Sequence, residues 1–532
     1  MQASGGPVAG VAPVAGIRES PSVAQRLAHR AALPALLVAG LTVVGVAIRI
    51  VVAQQAPFAD ELSTYWIVST NGLGGVLSTV HSNAEITPPL SFVAGWLSAQ
   101  IDGSPEMVRA PSLLAGAVTI PGVYLLGLRT VGRVAALVAT ALTALAPFMI
   151  FYSAEARGYA LMMALVLLST LAMLIAVDDS RARWWVFYAV ASCAAVYTHY
   201  TSVFVLGAQL IWLLWAHPEA RRPALLANAG AVVAFLPWIS GLIKDFDSPT
   251  TDILSALQPF DAEHVRLSLE HWSIGYPYSI VGLTDVPGVM ALLLLGLAVV
   301  VAVAGVLLAR AGGRPEAESW VPDRRTLLIV ALALSTPVGA ALFSAFGGTT
   351  VFSTRNLAAS WPALALAFSA LLVAAGPRLR FAAVGLAVAS FAIGAVKLLD
   401  EQYGRPQYQA TANFVDRSAA PGDVVIDETG VLSPGPLSHI DPYLARRRRV
   451  IRSRAPQEND HPFTVFDRNV PRAEAARRAV AAADGARIFL VTDLSALKPR
   501  RMGSYRLVET RRYDGMIRLA VQVYADRASS RG

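Results

Sequence analysis

Apolar residues dominate long runs of this chain, and short polar stretches separate one run from the next. A helix needs about 20 residues to cross roughly 30 Å of hydrocarbon, so the length of a run distinguishes membrane spans from other apolar segments. Nine runs are long enough: 31–53, 110–128, 134–152, 158–177, 224–242, 288–309, 326–346, 356–376 and 381–399. Two shorter runs, 184–197 and 201–216, are separated by only three residues and predict a hairpin of spans. The pattern therefore predicts a polytopic α-helical membrane protein with about 11 transmembrane helices.

The apolar run 89–101 is too short to cross a membrane, and it predicts a re-entrant or interfacial helix. If it does not cross, every short basic loop lies on the same side as the N-terminus. The positive-inside rule assigns that side to the cytoplasm. The loop 54–109 and the chain after residue 399 then lie on the outer face.

Composition supports a membrane protein, because 55% of the residues are hydrophobic and only 15% are charged. The formal net charge of +8 comes largely from short loops between spans, so it does not indicate a nucleic-acid partner. Cys193 is the only cysteine, which excludes a disulfide framework and a cysteine metal site. Residues 1–30 are rich in Ala, Gly, Pro and Ser and predict a disordered cytoplasmic tail before an uncleaved first span.

The chain changes character from about residue 400. Runs of β-branched and aromatic residues predict strands at 423–426, 488–492 and 518–524, and 472–483 has a helical pattern. These elements predict a soluble extracytoplasmic α/β domain over residues 400–532. Its arginines at 446–449 favour a solvated surface, although contact with lipid head groups or an anionic polymer stays open.

Two adjacent carboxylates, Asp60 and Glu61, directly follow the first span and precede the aromatic pair Tyr65 and Trp66. An apolar, aromatic run after an acidic pair is typical of a helix lying in the membrane interface. Such a helix would hold both acids at the bilayer surface. We interpret the pair as a catalytic site that faces a lipid-borne substrate.

Further ionisable residues fall on the same predicted face: Glu155, Arg157, His199 and Arg355. Charged groups at the edge of a helical bundle are costly unless they are paired or functional, which makes them candidate site residues. A structural ion pair, such as Glu155 with Arg157 or with Arg109, is the alternative. His199 alone is more typical of a hydrogen-bonded structural histidine than of a metal ligand.

The order of these motifs resembles the GT-C superfamily of bacterial membrane glycosyltransferases, in particular its protein-mannosyltransferase-like and aminoarabinose-transferase-like branches. The motifs are Asp60-Glu61, Thr87-Pro-Pro-Leu90, Arg109-Ala-Pro-Ser112, Tyr152-Ser-Ala-Glu-Ala-Arg157-Gly-Tyr159 and Tyr197-Thr-His199-Tyr200. The resemblance covers residues 31–399. One position departs from it, because Thr87 stands where many relatives carry His or Lys; His81 is the candidate replacement.

The resemblance implies an inverting transfer of a sugar from a polyprenyl-phosphate donor to a glycan, lipid or protein of the cell envelope. It places the reaction on the outer face of the bacterial inner membrane and leaves open whether the sugar is mannose or arabinose. Asp60 is the expected general base, and Glu61 is expected to orient the sugar or the acceptor. The expected ligands of the donor phosphate are Arg355 first, then Arg157 and Arg109.

The remaining expectations concern substrate and metal. Glu155, Tyr159, His199, Tyr200 and His81 are candidate substrate-binding residues. A divalent cation, Mg or Mn, held by Asp60 and Glu155 is left open. Two rival functions also stay open: a transporter or flippase of lipid-linked sugar, and an inactive GT-C scaffold that binds cell-wall polymer. The absence of visible internal repeats speaks against a transporter.

Overall fold

A computed structural model describes residues 23–82, 85–248, 251, 255, 258–279, 282–311, 323–429, 438–445, 449–454, 470–494 and 500–526. Most of the predicted N-terminal tail, residues 1–22, lies outside this set. Residues 23–30, which the composition assigned to the tail, already belong to the first helix. The helical segment therefore begins before the apolar run does, because Ala, Leu and Arg are good helix formers.

The helices of the membrane part follow one another with short connections. They are α1 (Val23–Ala53), α2 (Asp60–Thr70), α3 (Leu73–Val80), α4 (Leu90–Ala99), α5 (Pro105–Val108), α6 (Ala110–Thr130), α7 (Arg133–Leu145), α8 (Pro147–Ser153), α9 (Tyr159–Asp179), α10 (Ala182–Thr198), α11 (Ser202–Ala216), α12 (Arg221–Phe235), α13 (Ile239–Phe246), α14 (Ala262–Ser273), α15 (Val289–Ala311), α16 (Arg324–Phe346), α17 (Trp361–Ala374) and α18 (Gly376–Lys397). A 3₁₀ segment, Thr354–Ser360, leads into α17.

Within the described residues, eight helical segments are long and apolar enough to cross a membrane, or nine if α7 and α8 form one bent span. The predicted count of eleven is not confirmed. Against a count of nine, the difference is the predicted hairpin, because α10 has 17 residues and α11 has 15; against a count of eight, the bent pair of α7 and α8 is the third. Helix α4 has 10 residues, about 15 Å at 1.5 Å per residue, which agrees with the prediction that 89–101 does not cross.

The bundle has a clear centre and periphery. Of the residues in the most apolar part of each segment, 72% are buried in α9 but only 11% in the segment Pro218–Phe246. Helix α9 is therefore central, and Pro218–Phe246 presents its apolar side chains outward, where lipid would cover them. Because the loop before α9 carries Glu155 and Arg157, the centre of the bundle positions the candidate site.

The bend between α7 and α8 is 58° and is held by Arg49 of α1. Proline has no N–H, so Pro147 leaves the carbonyl of Thr143 without its helical donor. The Arg49 guanidinium, which has no exposed surface, donates to the carbonyls of Thr143 and Ala144, both at 2.9 Å. It also donates to Ser153 Oγ at 3.1 Å, at the end of α8. This buried cation is thus a structural clamp that fixes where the loop after α8 begins.

In the described part of the C-terminal α/β domain there are two further α-helices and a six-stranded sheet. The helices are α19 (Tyr408–Ser418) and α20 (Arg472–Ala483), and the strands are β1 (Val424–Asp427), β2 (Arg449–Arg454), β3 (Val470–Pro471), β4 (Ile488–Asp493), β5 (Tyr505–Tyr513) and β6 (Leu519–Asp526). The strand order is β3-β2-β1-β4-β6-β5. The first four strands are parallel, whereas β6 pairs antiparallel with both β4 and β5.

Helices cover both faces of this sheet. The apolar face of α19 packs with Val425 and Phe489, and α20 packs on the opposite face with Ile426 and Leu490. Burial on both faces explains why β1 and β4 are continuous apolar runs. The same cluster that contains α19 also includes Phe58, from the loop between α1 and α2. The domain therefore contacts the membrane part directly beside Asp60.

Candidate active site

Asp60 and Glu61 occupy the first turn of α2 but point in different directions, as expected for neighbouring helical positions. The Asp60 side chain is 49% exposed and the Glu61 side chain is 1% exposed. Ala59, the residue before them, has a φ of 52°, which is unusual for a residue with a Cβ atom. Strained backbone of this kind persists only where the surroundings hold it, and it often occurs at functional sites.

Asp60 forms an ion pair with Arg355, whose Nη1 donates to Oδ2 at 2.8 Å. Burial raises the pKa of Asp60, but the charges of Arg355 and Arg157 outweigh it and hold the pKa below its ordinary value. Asp60 is therefore ionised at neutral pH. Arg355 lies in the 3₁₀ segment that leads into the apolar α17, so this pair joins the loop after α1 to a late helix.

Glu61 is saturated by protein groups. Both of its oxygens accept from Arg109, with Nη2 to Oε2 at 2.8 Å, and Arg405 also donates to Oε2. The backbone N–H of Ala156 donates to Oε1 at 2.9 Å. Burial raises the pKa of Glu61, but the two arginines and these hydrogen bonds lower it below its ordinary value. The predicted role of Glu61 in orienting a sugar does not fit, because its acceptor positions are occupied.

The predicted role of Arg109 also needs correction. Its guanidinium is fully buried and donates, besides Glu61, to the backbone carbonyls of Ala53 and Gln55. These bonds engage four of its five N–H donors, and the group has no exposed surface at which a phosphate could bind. Arg109 instead fixes the start of α2 to the end of α1 and to the start of α6.

Arg157 has a partner that the sequence did not reveal. Its Nη1 donates to Glu85 Oε2 and to Thr64 Oγ1, both at 3.2 Å. Ser63 Oγ donates to the other Glu85 oxygen at 2.7 Å. Burial lowers the pKa of Arg157, but Glu85 and Asp60 raise it above its ordinary value, so the cation is permanent. The only pointer to Glu85 in the sequence is its position two residues before Thr87-Pro-Pro.

Glu155 is buried, and within the described residues no hydrogen bond or ion pair reaches its carboxyl group. The structural pair with Arg157 or Arg109 that the sequence left open does not form. Burial, together with the negative charges of Glu61 and Asp60, raises the pKa of Glu155 to about 8, although Arg405 and Arg157 oppose the shift. Glu155 is therefore an unpartnered acid that titrates close to neutral pH.

Tyr159 and His199 adjoin this group. Their rings lie 5.1 Å apart between centroids, and the Tyr159 ring is 4.6 Å from that of Tyr152. Burial and the positive charges of Arg355 and Arg157 lower the pKa of His199 to about 3. The imidazole is neutral and its Nδ1 lies 2.9 Å from Thr201 Oγ1. His199 is thus available as a neutral hydrogen-bonding group beside the two arginines.

Tyr200 and His81 belong to a second group around Trp238. Trp238 Nε1 donates to the Tyr200 hydroxyl at 3.1 Å, and that hydroxyl donates to Asp245. The His81 ring packs edge-on against Trp238, with centroids 5.3 Å apart, and its Nε2 is 3.0 Å from Ser240 Oγ. In the part of the chain that the structure describes, no contact joins either residue to Asp60. Their predicted substrate roles therefore stay predictions for a separate subsite.

Among the described residues, no group of three or more His, Cys, Asp or Glu side chains is placed to hold a metal ion. Asp60 and Glu155 alone offer two carboxylates. A divalent cation held by Asp60 and Glu155 stays a prediction.

Sequence reasoning also missed Arg405, from the segment that joins α18 to the α/β domain. It lies 344 residues from its partner Glu61, and its guanidinium stacks on Phe151 at 5.4 Å from the ring centroid. No local pattern marks it, since Gly404-Arg405-Pro406 reads as an ordinary linker. Only the folded chain brings Arg405 to the site.

Residues 87–240 match the model of the dolichyl-phosphate-mannose-protein mannosyltransferase family. This segment contains the Thr87-Pro-Pro, Arg109, Glu155 to Tyr159 and His199 motifs. A comparison with curated proteins finds no match.

Three solved structures are similar to this chain at low identity. Crystal structures of ArnT from Cupriavidus metallidurans, in the apo state and bound to undecaprenyl phosphate, are each 14% identical, with TM-scores of 0.41 and 0.40. The matches cover 93% and 92% of this chain and 98% and 97% of theirs. The oligosaccharyltransferase AglB from Archaeoglobus fulgidus, in complex with an inhibitory peptide and a dolichol-phosphate, is 13% identical with a TM-score of 0.45, covering 86% of this chain and 69% of its own.

No conclusion about the site depends on similarities at this level. The family match, in contrast, contains several of the motifs that the sequence singled out. The family match supports the resemblance predicted from the sequence for the protein-mannosyltransferase-like branch, over residues 87–240.

Proposed function

We propose that this protein is a glycosyltransferase that moves a sugar from a polyprenyl-phosphate-linked donor to an acceptor of the cell envelope. The reaction takes place on the outer face of a bacterial inner membrane. The family match supports the reaction type. The observation that carries the proposal is the partly exposed ion pair of Asp60 with Arg355, which places a base and a fork-shaped cation side by side next to an apolar helix.

The chemistry requires few groups. The anomeric carbon of the donor already carries a phosphate, so no general acid is needed for the leaving group. The acceptor hydroxyl gives its proton to Asp60 as its oxygen bonds to the anomeric carbon. The bond from that carbon to the phosphate oxygen breaks, and its electron pair leaves with the polyprenyl phosphate. A single displacement of this kind inverts the anomeric centre.

Arg355 and Arg157 are suited to the phosphate. A guanidinium offers two parallel donors and stays charged, which matches the geometry of a phosphate. Negative charge on the phosphate grows as the glycosidic bond breaks, so cations placed there stabilise the transition state more than the ground state. Of the three arginines predicted for this role, these two remain after Arg109 is excluded.

The ion pair also suggests how the base becomes active. A phosphate bound to Arg355 competes with Asp60 for the same guanidinium. Loss of that partner raises the affinity of Asp60 for a proton, because Arg355 is the largest of the charges that hold its pKa down. Donor binding thereby converts Asp60 from an ion-pair partner into a base.

Glu155 is the second candidate for the base, because its pKa of about 8 suits proton transfer near neutral pH and because none of the described residues pairs with it. We retain Asp60 as the first choice because it is 49% exposed, whereas Glu155 is buried. In this account Glu155 contacts the acceptor or the sugar. A Glu155→Gln protein that retains transfer while Asp60→Asn loses it supports this assignment.

Comparison of cell-envelope glycans by mass spectrometry, with and without this protein, tests the function in its cellular setting. Cells lacking the protein are complemented with wild type, Asp60→Asn or Asp285→Asn. Asp285 is a matched control because its side chain is 72% exposed and pairs with Lys397, outside the site. We expect one glycan species to be restored by wild type and Asp285→Asn but not by Asp60→Asn.

Other outcomes of this experiment identify the rival functions. Restoration by all three proteins would mean that Asp60 chemistry is not needed, as for a transporter of lipid-linked sugar. A glycan profile that never changes, with polymer still bound by the purified protein, would indicate an inactive scaffold.

A further inference from the structure

Arg405 belongs to the C-terminal part of the chain but lies in the active site. The side chain has no exposed surface and binds Glu61, the residue next to the proposed base. Its backbone N–H donates to Gln55 Oε1 at 3.0 Å, and the carbonyl of the preceding Gly404 accepts from the N–H of Met516 at 2.8 Å. The segment around Arg405 is therefore tied to both the loop after α1 and the α/β domain.

The guanidinium of Arg405 is not fully used. Nη1 binds Glu61, but Nε and Nη2 are buried and meet no acceptor in hydrogen-bonding geometry among the residues that the structure describes. The Tyr276 hydroxyl lies nearby without completing such a bond. Unpaired buried donors cost free energy, so another contact of Arg405 has to compensate for Nε and Nη2. The contact that compensates is the one with Glu61, together with the stacking on Phe151.

A second contact of the α/β domain reaches the chain just before Asp60. The Phe58 ring lies 6.4 Å from the ring of Tyr408, at the start of α19, and 5.5 Å from that of His439. Phe58 is 2% exposed and is followed by Ala59 with its φ of 52°. A bend of this kind needs support on both sides. Phe58 supplies it before the bend and Glu61 supplies it after the bend.

We propose that the C-terminal domain is part of the catalytic unit and that Arg405 is its positioning residue. Arg405 binds Glu61 and thereby sets the place of Asp60 relative to Arg355. Arg405 itself does not touch the donor or the acceptor. The kinetic test of this inference rests on the proposed function. Its structural half, the coupling of Arg405 with Glu61, is measured separately by thermal unfolding.

The role predicts a particular kinetic effect. Displacing a base by about 1 Å can cost on the order of a hundredfold in rate, because proton transfer depends steeply on geometry. Donor affinity depends on Arg355 and Arg157, which stay in place. Arg405→Met should therefore lower kcat about a hundredfold and change the KM for the donor by less than about threefold. Arg405→Lys keeps the charge but loses the fork of parallel donors. Its kcat should lie between those of wild type and Arg405→Met.

The test is a double-mutant cycle on the full-length protein in detergent, with a short-chain polyprenyl phospho-sugar as donor. The four proteins are wild type, Arg405→Met, Glu61→Gln and the double variant. Arg487→Met is the matched control, because Arg487 also pairs with an acid, Asp423 at 2.9 Å, and also lies over a ring, Phe489 at 5.3 Å.

If Arg405 acts through Glu61, the double variant loses no more kcat than the worse single variant. Two results overturn the inference. One is a kcat for Arg405→Met equal to that of Arg487→Met. The other is a fold loss in kcat for the double variant that equals the product of the two single-variant losses. If Arg405→Met does not fold, Arg405→Lys is used for the same comparison.

Thermal unfolding of the same proteins measures the coupling of Arg405 with Glu61 without any turnover. Coupling in unfolding but no transfer by wild type would contradict the proposed function and leave the structural half of this inference intact. Transfer by wild type without coupling would contradict the inference and leave the proposed function intact.

Discussion

Glu61 and Glu155 are buried carboxyl groups that both lie in the field of Arg405, yet their surroundings are opposite. Glu61 accepts from Arg109, Arg405 and the backbone of Ala156, and its pKa lies below the ordinary value. Glu155 has no such partner within the described residues, and its pKa is raised to about 8. Burial raises the pKa in both cases, so the partners decide the direction of the shift.

The comparison separates structure from chemistry in this site. An acid whose oxygens are all engaged holds elements together, and its loss leaves buried cations unpaired. An acid without a partner contributes nothing to that framework and is free to meet a substrate. The ion pair of Asp60 with Arg355 is intermediate between these two cases. Both groups are charged, but the pair is partly exposed, so a substrate can separate them.

The largest effect is expected for Glu61→Gln. The substitution leaves two buried guanidinium groups, those of Arg109 and Arg405, without their counter-charge. Breaking a buried pair in this way costs about 3–5 kcal/mol, so thermal unfolding in detergent should shift strongly downward. Asp60→Asn is the neighbouring control and should unfold close to wild type. Equal unfolding temperatures for Glu61→Gln and wild type would show that Glu61 is not structural.

Arg355 is expected to give the next largest effect, on rate rather than stability. Arg355→Ala should lower transfer roughly a hundredfold, the usual effect of removing one donor to a developing charge. Arg355→Lys retains the charge but loses the bidentate fork and should lower transfer by about tenfold. The measurement is initial rates at several donor concentrations. A Lys variant as active as wild type would remove Arg355 from the site and leave it as an interfacial anchor of α17.

Glu155 should give an effect on stability that depends on pH. The folded protein keeps a proton on Glu155 up to about pH 8, whereas the unfolded chain releases it above about pH 4.3. Stability is therefore lost progressively as the pH rises through this window. Glu155→Gln removes the loss, so its unfolding temperature should rise relative to wild type between about pH 5 and pH 9. A difference that stays constant with pH would contradict the raised pKa.

The sequence predicted what depends on local pattern. Helix α20 has the predicted bounds, 472–483, and the strands that include residues 424–426 and 488–492 were both predicted. Strand β2 was missed because its arginines at 449–454 hide the alternation of a strand, and residues 446–448 of the same basic run lie outside the described residues. The count of eleven spans is not confirmed, because α10 and α11 are apolar but shorter than a typical span.

The sequence identified several residues of the site, but it did not show which of them pair with each other. Asp60, Arg157 and Arg355 do come together, but the partners of Glu61 and Arg157 could not be predicted. Arg405 and Glu85 lie 344 and 72 residues from the groups they bind, and nothing in a single sequence encodes such distances. For the same reason Arg109 was predicted to bind the donor phosphate, although its guanidinium forms a buried ion pair with Glu61.

Transfer by the purified protein tests the central claim most directly. Wild type, Asp60→Asn and Asp285→Asn are given a synthetic short-chain polyprenyl phosphomannose or phosphoarabinose, and release of the polyprenyl phosphate is followed with the envelope acceptor present. We predict that wild type and Asp285→Asn release it with inversion at the anomeric carbon. Asp60→Asn should do so roughly a hundredfold or more slowly, the contribution expected of a positioned base. Release by Asp60→Asn at the wild-type rate would contradict the account.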